Sequence, residues 1–189
     1  MKKLSETLKE LGIAFTFPIQ IRDSKGNETY IEDSHNYWNR KDYNSNGNNT
    51  YFENSDGYWC RKEYDFNGNE TYYENSNGYW YKREYDSDGN MTYFEDSDGD
   101  WCKSEYDYKG NQTYFENSGK LWYKQEYDAD GKETYYEDSN GWQKREYDSD
   151  GKETYYEDSQ GKKRGMPRSQ SRDGKVIEID GIKYELKLK

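Results

Sequence analysis

Aromatic and polar residues alternate along the chain in short runs that recur about every 21 residues. One unit, Tyr81 to Trp101, reads YKREYDSDGNMTYFEDSDGDW and contains two turn signals, Asp88-Gly89 and Asp98-Gly99. Such pairs supply the positive φ angles of hairpin turns, and the runs between them are rich in strand-favouring Tyr, Phe, Trp and Thr. The pattern predicts one β-hairpin per unit, because turn signals are too frequent for stable helices.

The register of the repeats is defined by one threonine per unit, with a glycine three residues before it and a glutamate three residues after it. The threonines are Thr29, Thr50, Thr71, Thr92, Thr113, Thr134 and Thr154, so the period is 21 residues five times and 20 once. All six tryptophans lie at a second position of the same period. The sequence therefore predicts an all-β fold, an elongated, solenoid-like antiparallel sheet of about seven repeats with roughly 12 to 14 strands.

The N-terminal segment, residues 1–22, differs from the repeated body. Three leucines share one face of a short predicted helix that Ser5 would help start and Gly12 would end; they are Leu4, Leu8 and Leu11. Residues 13–21 follow as a predicted apolar strand. We expect this helix and strand to cap the first repeat.

The repeated body is predicted to span residues 23–161. Residues 162–175 are basic and contain Pro, Gly, Ser and Gln, which predicts a flexible linker. Residues 176–189 predict a final hairpin around Asp180-Gly181. This hairpin would cap the array or, alternatively, bind a ligand.

The body almost lacks aliphatic residues, since Ile31 and Leu121 are the only Val, Ile or Leu in it. An ordinary aliphatic core is therefore excluded. Tyr, Phe and Trp from neighbouring repeats are predicted to stack into an aromatic ladder instead. A single unit buries too little surface to fold alone, so stability should grow with repeat number.

The turn type determines which residues face each other across a hairpin. With a two-residue turn, the predicted pairs are Tyr85 with Thr92, Arg83 with Phe94, and Lys82 with Glu95. A three-residue turn with a bulge shifts the register by one residue and places Lys82 opposite Phe94. The sequence leaves both registers open, together with the assignment of the two faces.

Charge is distributed unevenly along the chain. Residues 23–161 contain 33 Asp and Glu against 15 Lys and Arg, a net charge of −18, whereas the whole chain carries −11. Nucleic acids and anionic membranes require a basic surface, so direct binding to either is not expected. The predicted partner is a protein with a basic surface; alternatively, the carboxylates only keep an aromatic-rich sheet soluble.

The residues predicted to contact a partner are aromatic and acidic positions of the central repeats. They are Trp59, Trp80, Trp101, Trp122, Asp65, Asp86, Asp88, Glu74, Glu95 and Glu116. The tryptophans would provide apolar anchors, and the carboxylates would imitate a phosphate backbone in a basic groove.

A calcium-like spacing also recurs in the units. Positions 1, 3, 5, 6, 9 and 12 of an EF-hand-like window are Glu84, Asp86, Asp88, Gly89, Thr92 and Glu95. The first position is Glu instead of Asp, no helices flank the window, and Lys109 replaces a ligand in one copy. Hairpin-turn chemistry is therefore favoured, and no metal or cofactor is predicted.

The sequence does not predict an enzyme. Paired carboxylates recur in every unit, whereas a catalytic site is normally singular, and His35 is the only histidine. Cys60 and Cys102 occupy the same position two repeats apart, which places them beyond disulfide reach, so free thiols are expected. The N-terminus has no apolar signal or membrane segment, and we expect a cytoplasmic protein.

The segment Glu84 to Gly99, EYDSDGNMTYFEDSDG, resembles the Tyr-Asp repeats of Rhs-type proteins and MORN-type hairpin repeats. The resemblance covers residues 22–161. MORN-type repeats imply a non-enzymatic scaffold built as a mostly single-layer antiparallel sheet. Choline-binding repeats are a more distant resemblance, which implies ligand sites between hairpins. No functional residue is carried over from these families.

The function predicted from these features is a non-enzymatic acidic repeat scaffold for protein–protein interaction. In the leading hypothesis it occupies the basic groove of a nucleic-acid-binding protein. One alternative is a structural or adhesive repeat that self-associates through sheet edges. Another is a calcium- or carbohydrate-binding repeat module.

Overall fold

The computed structural model describes residues 3–168, 176–179 and 182–185. These residues form one helix, α1 (Leu4–Glu10), and seventeen strands. The strands are β1 (Ile19–Arg22), β2 (Glu28–Glu32), β3 (Trp38–Tyr43), β4 (Asn49–Asn54), β5 (Trp59–Tyr64), β6 (Glu70–Asn75), β7 (Trp80–Tyr85), β8 (Met91–Asp96), β9 (Trp101–Tyr106), β10 (Gln112–Asn117), β11 (Trp122–Tyr127), β12 (Glu133–Asp138), β13 (Gly141–Tyr147), β14 (Glu153–Asp158), β15 (Lys163–Gly165), β16 (Val176–Ile179) and β17 (Ile182–Glu185).

The chain divides into two compact units. One comprises Met1–Ser104 with Asn117–Gly119, and the other comprises Glu105–Glu116 with Lys120–Lys189. Consecutive strands pair antiparallel from β1–β2 to β8–β9 and again from β10–β11 to β14–β15. The predicted all-β hairpin-repeat fold is therefore confirmed, with thirteen strands, β2 to β14, in the repeated body.

The turn that precedes each repeat threonine, here called the Thr turn, is a three-residue turn. In one copy the Asp86 N–H donates to the Asn90 carbonyl at 3.0 Å, and the Gly89 N–H donates to the Asp86 carbonyl at 3.2 Å. Gly89 has φ +87°, a conformation that a side chain would strain. The recurring glycine is therefore explained by turn geometry.

A β-bulge follows the Thr turns that precede β2, β4, β6, β8, β12 and β14. Tyr85 lies opposite Met91, but Glu84 lies opposite Tyr93, so Thr92 is an extra residue in its strand. A bulge of this kind leaves one residue unpaired and increases the local twist. The repeat threonine marks the bulge.

These two features decide the register that the sequence left open. Lys82 lies opposite Glu95 and Arg83 opposite Phe94, as the two-residue turn predicts. The predicted Tyr85 to Thr92 pair is wrong, and so is the alternative that places Lys82 opposite Phe94. The third turn residue shifts the register by one, and the bulge at Thr92 shifts it back.

The bulge also keeps equivalent residues on one face of the sheet. Glu63 lies opposite Tyr72, and Tyr72 lies opposite Lys82 on its other side. The residue of the next repeat that corresponds to Glu63 is Glu84, two positions after Lys82 in the same strand. Copies are thus offset by two residues along the strand and point to the same side. They are therefore not directly opposite each other in the sheet.

The N-terminal segment departs from its prediction in two respects. Gly12 ends α1 with φ +69°, as expected, but Ser5 lies inside the helix and does not cap it. Of the predicted apolar strand, only Ile19–Arg22 is paired, as β1.

The C-terminal segment is described in part. Lys163–Gly165 form β15, so the sheet extends into the segment predicted as a linker. Strands β16 and β17 pair antiparallel, which agrees with the predicted final hairpin. Residues 169–175 and the predicted turn at Asp180-Gly181 lie outside the described residues.

Candidate protein-interaction surface

The sheets have two chemically different faces. On one, the Trp-bearing face, Tyr72 lies opposite Lys82 and Glu74 lies opposite Trp80. On its other side Lys82 lies opposite Glu95. The same register recurs from repeat to repeat, so each Trp lies opposite a glutamate, and each Tyr of this face except Tyr155 lies opposite a Lys or Arg.

Cations on the Trp-bearing face lie over aromatic rings. The Arg61 guanidinium is 5.3 Å from the Tyr72 ring centre, and the Lys82 ammonium is 5.3 Å from the Trp80 ring centre. The Lys103 ammonium contacts its own strand neighbour Trp101 at 5.8 Å. Exposed contacts of this kind contribute about 0.5–1 kcal/mol each.

The opposite face, here called the ion-paired face, contains carboxylates that are satisfied within the protein. Glu70 accepts from the Lys62 ammonium at 2.8 Å and from the Tyr81 hydroxyl, and the Arg83 guanidinium lies 4.0 Å away. Burial alone would raise the pKa of Glu70, but the hydrogen bonds from Lys62 and Tyr81 bring it below its usual value. This carboxylate therefore stays charged and internally paired.

The predicted aromatic ladder is confirmed on the ion-paired face. The rings of Tyr73 and Tyr81 stack with centres 5.2 Å apart, and Tyr81 lies 6.1 Å from Phe94. In the second unit, Phe115 and Tyr123 stack at 5.3 Å. Stacked aromatic pairs of this kind take the place of an aliphatic core.

The Tyr-Asp pair of each repeat has two structural roles. The hydroxyl of Tyr85 donates to the Glu70 carbonyl of the preceding repeat at 3.3 Å. The same bond is made by Tyr43, Tyr64, Tyr127 and Tyr147. Tyrosine therefore joins neighbouring repeats, and the following aspartate closes the turn.

Asp86 shows how the turn is closed. Its carboxylate accepts from the backbone N–H groups of Asp88 and Asn90 and from the Asn90 side chain, at 2.9–3.0 Å. The side-chain hydrogen bond from Asn90 is the main cause that lowers the pKa of Asp86. Asp65 is bonded in the same way by Asn69.

In the first repeat, α1 covers the Trp-bearing face. The Ser5 N–H and hydroxyl donate to the two Glu32 carboxylate oxygens at 2.9 and 2.5 Å, and the Leu4 N–H donates to the Tyr30 hydroxyl at 3.2 Å. Tyr30 in turn donates to Glu32 and stacks on Trp38. Glu32 is 1% exposed, Tyr30 6% and Trp38 7%, so this carboxylate and its two rings are fully enclosed.

Most of the predicted contact residues lie together on the Trp-bearing face and are partly exposed. They are Trp59, Trp80, Trp101, Trp122, Glu74, Glu95 and Glu116. Asp65 and Asp86 lie in Thr turns, where their carboxylates are already engaged, and Asp88 lies exposed at a turn tip. Their role in binding stays a prediction.

Two groups of accessible residues are absent from the predicted contact set. Phe66 and Tyr108 project from Thr turns and are 90% and 86% exposed. Other repeats have Ser or Ala at this turn position, which is a signal that could have identified them. The second group is a set of exposed glutamates on the Trp-bearing face, Glu63, Glu84, Glu105 and Glu126.

The calcium-like window forms a hairpin instead of a ligand cage. Glu84 lies opposite Tyr93, and Glu95 lies opposite Lys82, while Asp86 closes the turn. Within the described ranges, no group of three or more His, Cys, Asp and Glu side chains is arranged to hold a metal ion. Cys60 and Cys102 are free thiols, as predicted, and burial raises the pKa of both.

No protein-family model and no curated protein matches the chain. Similar folds occur among solved structures. A Photorhabdus luminescens Tc holotoxin pore is 14% identical over 75% of this chain, with a TM-score of 0.44. The TcdB2-TccC3-Cdc42 crystal structure is 14% identical over 82% of this chain, with a TM-score of 0.46.

The chain spans about a tenth of the length of these relatives, 9% and 10% respectively. At this identity the similarity concerns the hairpin-repeat fold alone, and at these TM-scores it carries no functional inference. Among the described residues, α1 is the sole helix and is too short and too polar to cross a lipid bilayer.

Proposed function

We propose that this protein is a non-enzymatic acidic scaffold that binds a basic protein through its Trp-bearing face. The observation that carries the proposal is the difference in net charge between the two faces. Between residues 23 and 161, the ion-paired face carries four Lys or Arg against seven Asp or Glu, a net charge of −3. The Trp-bearing face carries six Lys or Arg against thirteen Asp or Glu.

The Trp-bearing face is thus the more acidic of the two faces, with a net charge of −7. Carboxylates on the ion-paired face are partnered within the sheet, as Glu70 is by Lys62 and Tyr81. Solubility alone would not require the surplus to lie on the face that also carries every tryptophan. Acidic surplus beside half-buried aromatic rings is the combination that binds and orients a basic partner.

The partner in this proposal is a nucleic-acid-binding protein whose basic groove the scaffold occupies. Within each compact unit, exposed glutamates recur once per repeat on strands about 10 Å apart, as Glu63 and Glu84 do, so their carboxylates are regularly spaced. Regular rows of negative charge are what a groove lined with Lys and Arg recognises in a phosphate backbone. The tryptophans would add local apolar anchors.

The test is affinity capture from cell lysate at about 50 and about 300 mM salt, which bracket weak and strong screening. We expect capture of a basic nucleic-acid-binding protein that duplex DNA displaces and the higher salt releases. A complex indifferent to ionic strength, or capture of nothing, would contradict the proposal.

A matched pair of variants makes this test specific. One variant replaces the four exposed glutamates, E63Q/E84Q/E105Q/E126Q, and should lose capture. The control replaces four cations of the same strands, R61Q/K82Q/K103Q/K124Q, and should retain or strengthen it. Equal behaviour of the two variants would show that charge on this face does not matter.

Self-association is a second candidate, and the exposed rings of Phe66 and Tyr108 favour it. Apolar rings at turn tips can pair between copies of the chain. Sedimentation at increasing concentration should then show oligomers that F66S/Y108S abolishes. A monomer at all concentrations would remove this candidate.

A further inference from the structure

The first repeat shows how the Trp-bearing face receives another segment of protein. Its Tyr30, Glu32 and Trp38 form a triad in which Glu32 lies opposite Trp38. Three donors from the first turn of α1 converge on this triad: the Leu4 N–H, the Ser5 N–H and the Ser5 hydroxyl. First-turn N–H groups have no partner inside a helix, so an acceptor on the sheet satisfies them.

The interior repeats carry the same triad in the same register. Glu53 lies opposite Trp59, Glu74 opposite Trp80, and Glu95 opposite Trp101. The tyrosines of these triads are Tyr51, Tyr72 and Tyr93. No described residue covers them as α1 covers the first triad, and their rings and carboxylates remain partly exposed.

The link between tyrosine and glutamate is also repeated. Tyr30 donates to Glu32 at 3.0 Å, and Tyr155 donates to Glu157 near the other end of the array. Burial raises the pKa of Tyr93, and the neighbouring Glu95 carboxylate adds to it. The tyrosine thus holds the carboxylate of its triad in one orientation, as in the covered repeat.

The spacing of the triads suits helices. Neighbouring triads are two strands apart, about 10 Å, and are offset by two residues, about 7 Å, which places them about 12 Å from each other. A helix with its side chains has a diameter of about 10–12 Å. Each triad can therefore accept a helix end without excluding its neighbour.

Charge at the adjacent turns selects the residue that precedes the helix. Beside the first triad, the Lys3 ammonium donates to the Asn36 side chain at 3.0 Å. Asn36 stands where the interior turns have a glycine. In two of these turns the residue before that glycine is an exposed aspartate, Asp56 or Asp98. A basic residue ahead of the helix would meet a carboxylate there instead of an amide.

We propose that the interior Tyr-Glu-Trp triads bind the first turn of a partner helix whose start reads basic, aliphatic, serine, as α1 binds the first triad. This inference rests on the proposed function, because it specifies the element of the basic partner that the Trp-bearing face receives. Serine supplies the hydroxyl and N–H pair for the carboxylate, and the aliphatic residue covers the rings.

The probe is a synthetic peptide of residues 1–13, MKKLSETLKELGI, with a hydrocarbon staple between positions 6 and 10. It is titrated into the full-length protein while the six tryptophan indole N–H signals are followed by NMR. We expect saturable shifts for Trp59, Trp80 and Trp101 and the smallest shift for Trp38. The Ser5→Ala peptide should bind about fivefold more weakly, and Glu95→Gln in the protein should suppress the shift of Trp101 but not that of Trp80.

Three results would overturn the inference: no saturable indole shift at millimolar peptide, equal binding by the Ser5→Ala peptide, or a Trp38 shift as large as the others. Loss of peptide binding with salt-sensitive capture retained would overturn this inference alone. Loss of capture with peptide binding intact would overturn the proposed function.

Discussion

The first repeat and the interior repeats use the same residues differently. In the first repeat Glu32 is enclosed and accepts hydrogen bonds from Ser5 and Tyr30, and Trp38 is buried beneath α1. In an interior repeat, Glu74 is paired with Arg61 at 3.4 Å, and Trp80 is half-exposed beside it. One pattern of residues therefore supports both a closed and an open arrangement.

The triads contain the same residue types, so the role of the glutamate is decided by whether a segment such as α1 covers it. Once α1 supplies donors, the glutamate becomes a structural acceptor inside the protein. Without a covering segment, the same glutamate contributes to the acidic face. The comparison can be tested by making the same substitution in both places.

The largest difference is expected for tryptophan. Trp38→Ala removes a buried ring that supports α1 and should lower the free energy of opening of the first repeat by about 3–5 kcal/mol. Trp80→Ala removes a half-exposed ring and should cost about 1–2 kcal/mol. Native-state hydrogen exchange of the β2–β3 and β6–β7 amides measures both, and equal losses would contradict the comparison.

Replacing the glutamate should give the next largest difference. Glu32→Ala leaves the Ser5 and Tyr30 donors without their acceptor and should cost about 2–3 kcal/mol locally. Glu95→Ala removes a partly exposed carboxylate and should stay within about 0.5 kcal/mol. Exchange of α1 and β2 amides, with Trp38 fluorescence quenching as a second readout, distinguishes the two variants. A large effect of Glu95→Ala would mean that the interior triads are structural as well.

Lowering the pH should favour the opening of α1 from the first repeat. Burial raises the pKa of Glu32, but the hydrogen bonds from Ser5 and Tyr30 outweigh it and hold the pKa below the usual 4.5. A carboxylate whose pKa is lower in the folded than in the unfolded state stabilises the folded state when the pH is above the unfolded-state pKa. That stabilisation is lost as the pH falls through the folded-state pKa. Opening of α1 should therefore increase progressively below pH 4.5.

The control for the acid effect is Glu32→Gln, which cannot ionise. Its opening free energy should lack the part of the pH dependence that arises from Glu32. Hydrogen exchange of α1 amides between pH 3 and 6 provides the comparison. Identical pH profiles for the two proteins would assign the acid sensitivity to other carboxylates.

Much of this fold follows from local sequence. Glycine with a positive φ angle, such as Gly89, identifies each turn, and the 21-residue period identifies the repeat. The bulge could not be predicted, because Thr92 differs in no chemical respect from a threonine in a regular strand. Its presence decides which side chains share a face, so the faces could not be assigned either.

The contact between α1 and the first triad could not be predicted from the sequence for a different reason. In the sequence, Ser5 has the position of a residue that starts a helix, and Glu32 is indistinguishable from the other repeated glutamates. Their hydrogen bond joins residues 27 positions apart, and no periodicity reports such a contact. The acidic surplus was evident from composition, but the larger negative charge of the Trp-bearing face compared with the ion-paired face required the register.

The smallest expected effect concerns the hydroxyl of Ser5. Ser5→Ala removes one of the two hydrogen bonds that Ser5 donates to Glu32 while the backbone N–H remains in place, so α1 should stay docked at a cost of about 1 kcal/mol. Thr7→Ala is the matched control, because the Thr7 hydroxyl makes a long 3.4 Å bond within the helix and does not contact Glu32. Exchange of the α1 amides should be faster for Ser5→Ala than for Thr7→Ala. If the order is reversed, helix propensity and not the contact with Glu32 holds α1 on the first repeat, and the model for the interior triads loses its structural precedent.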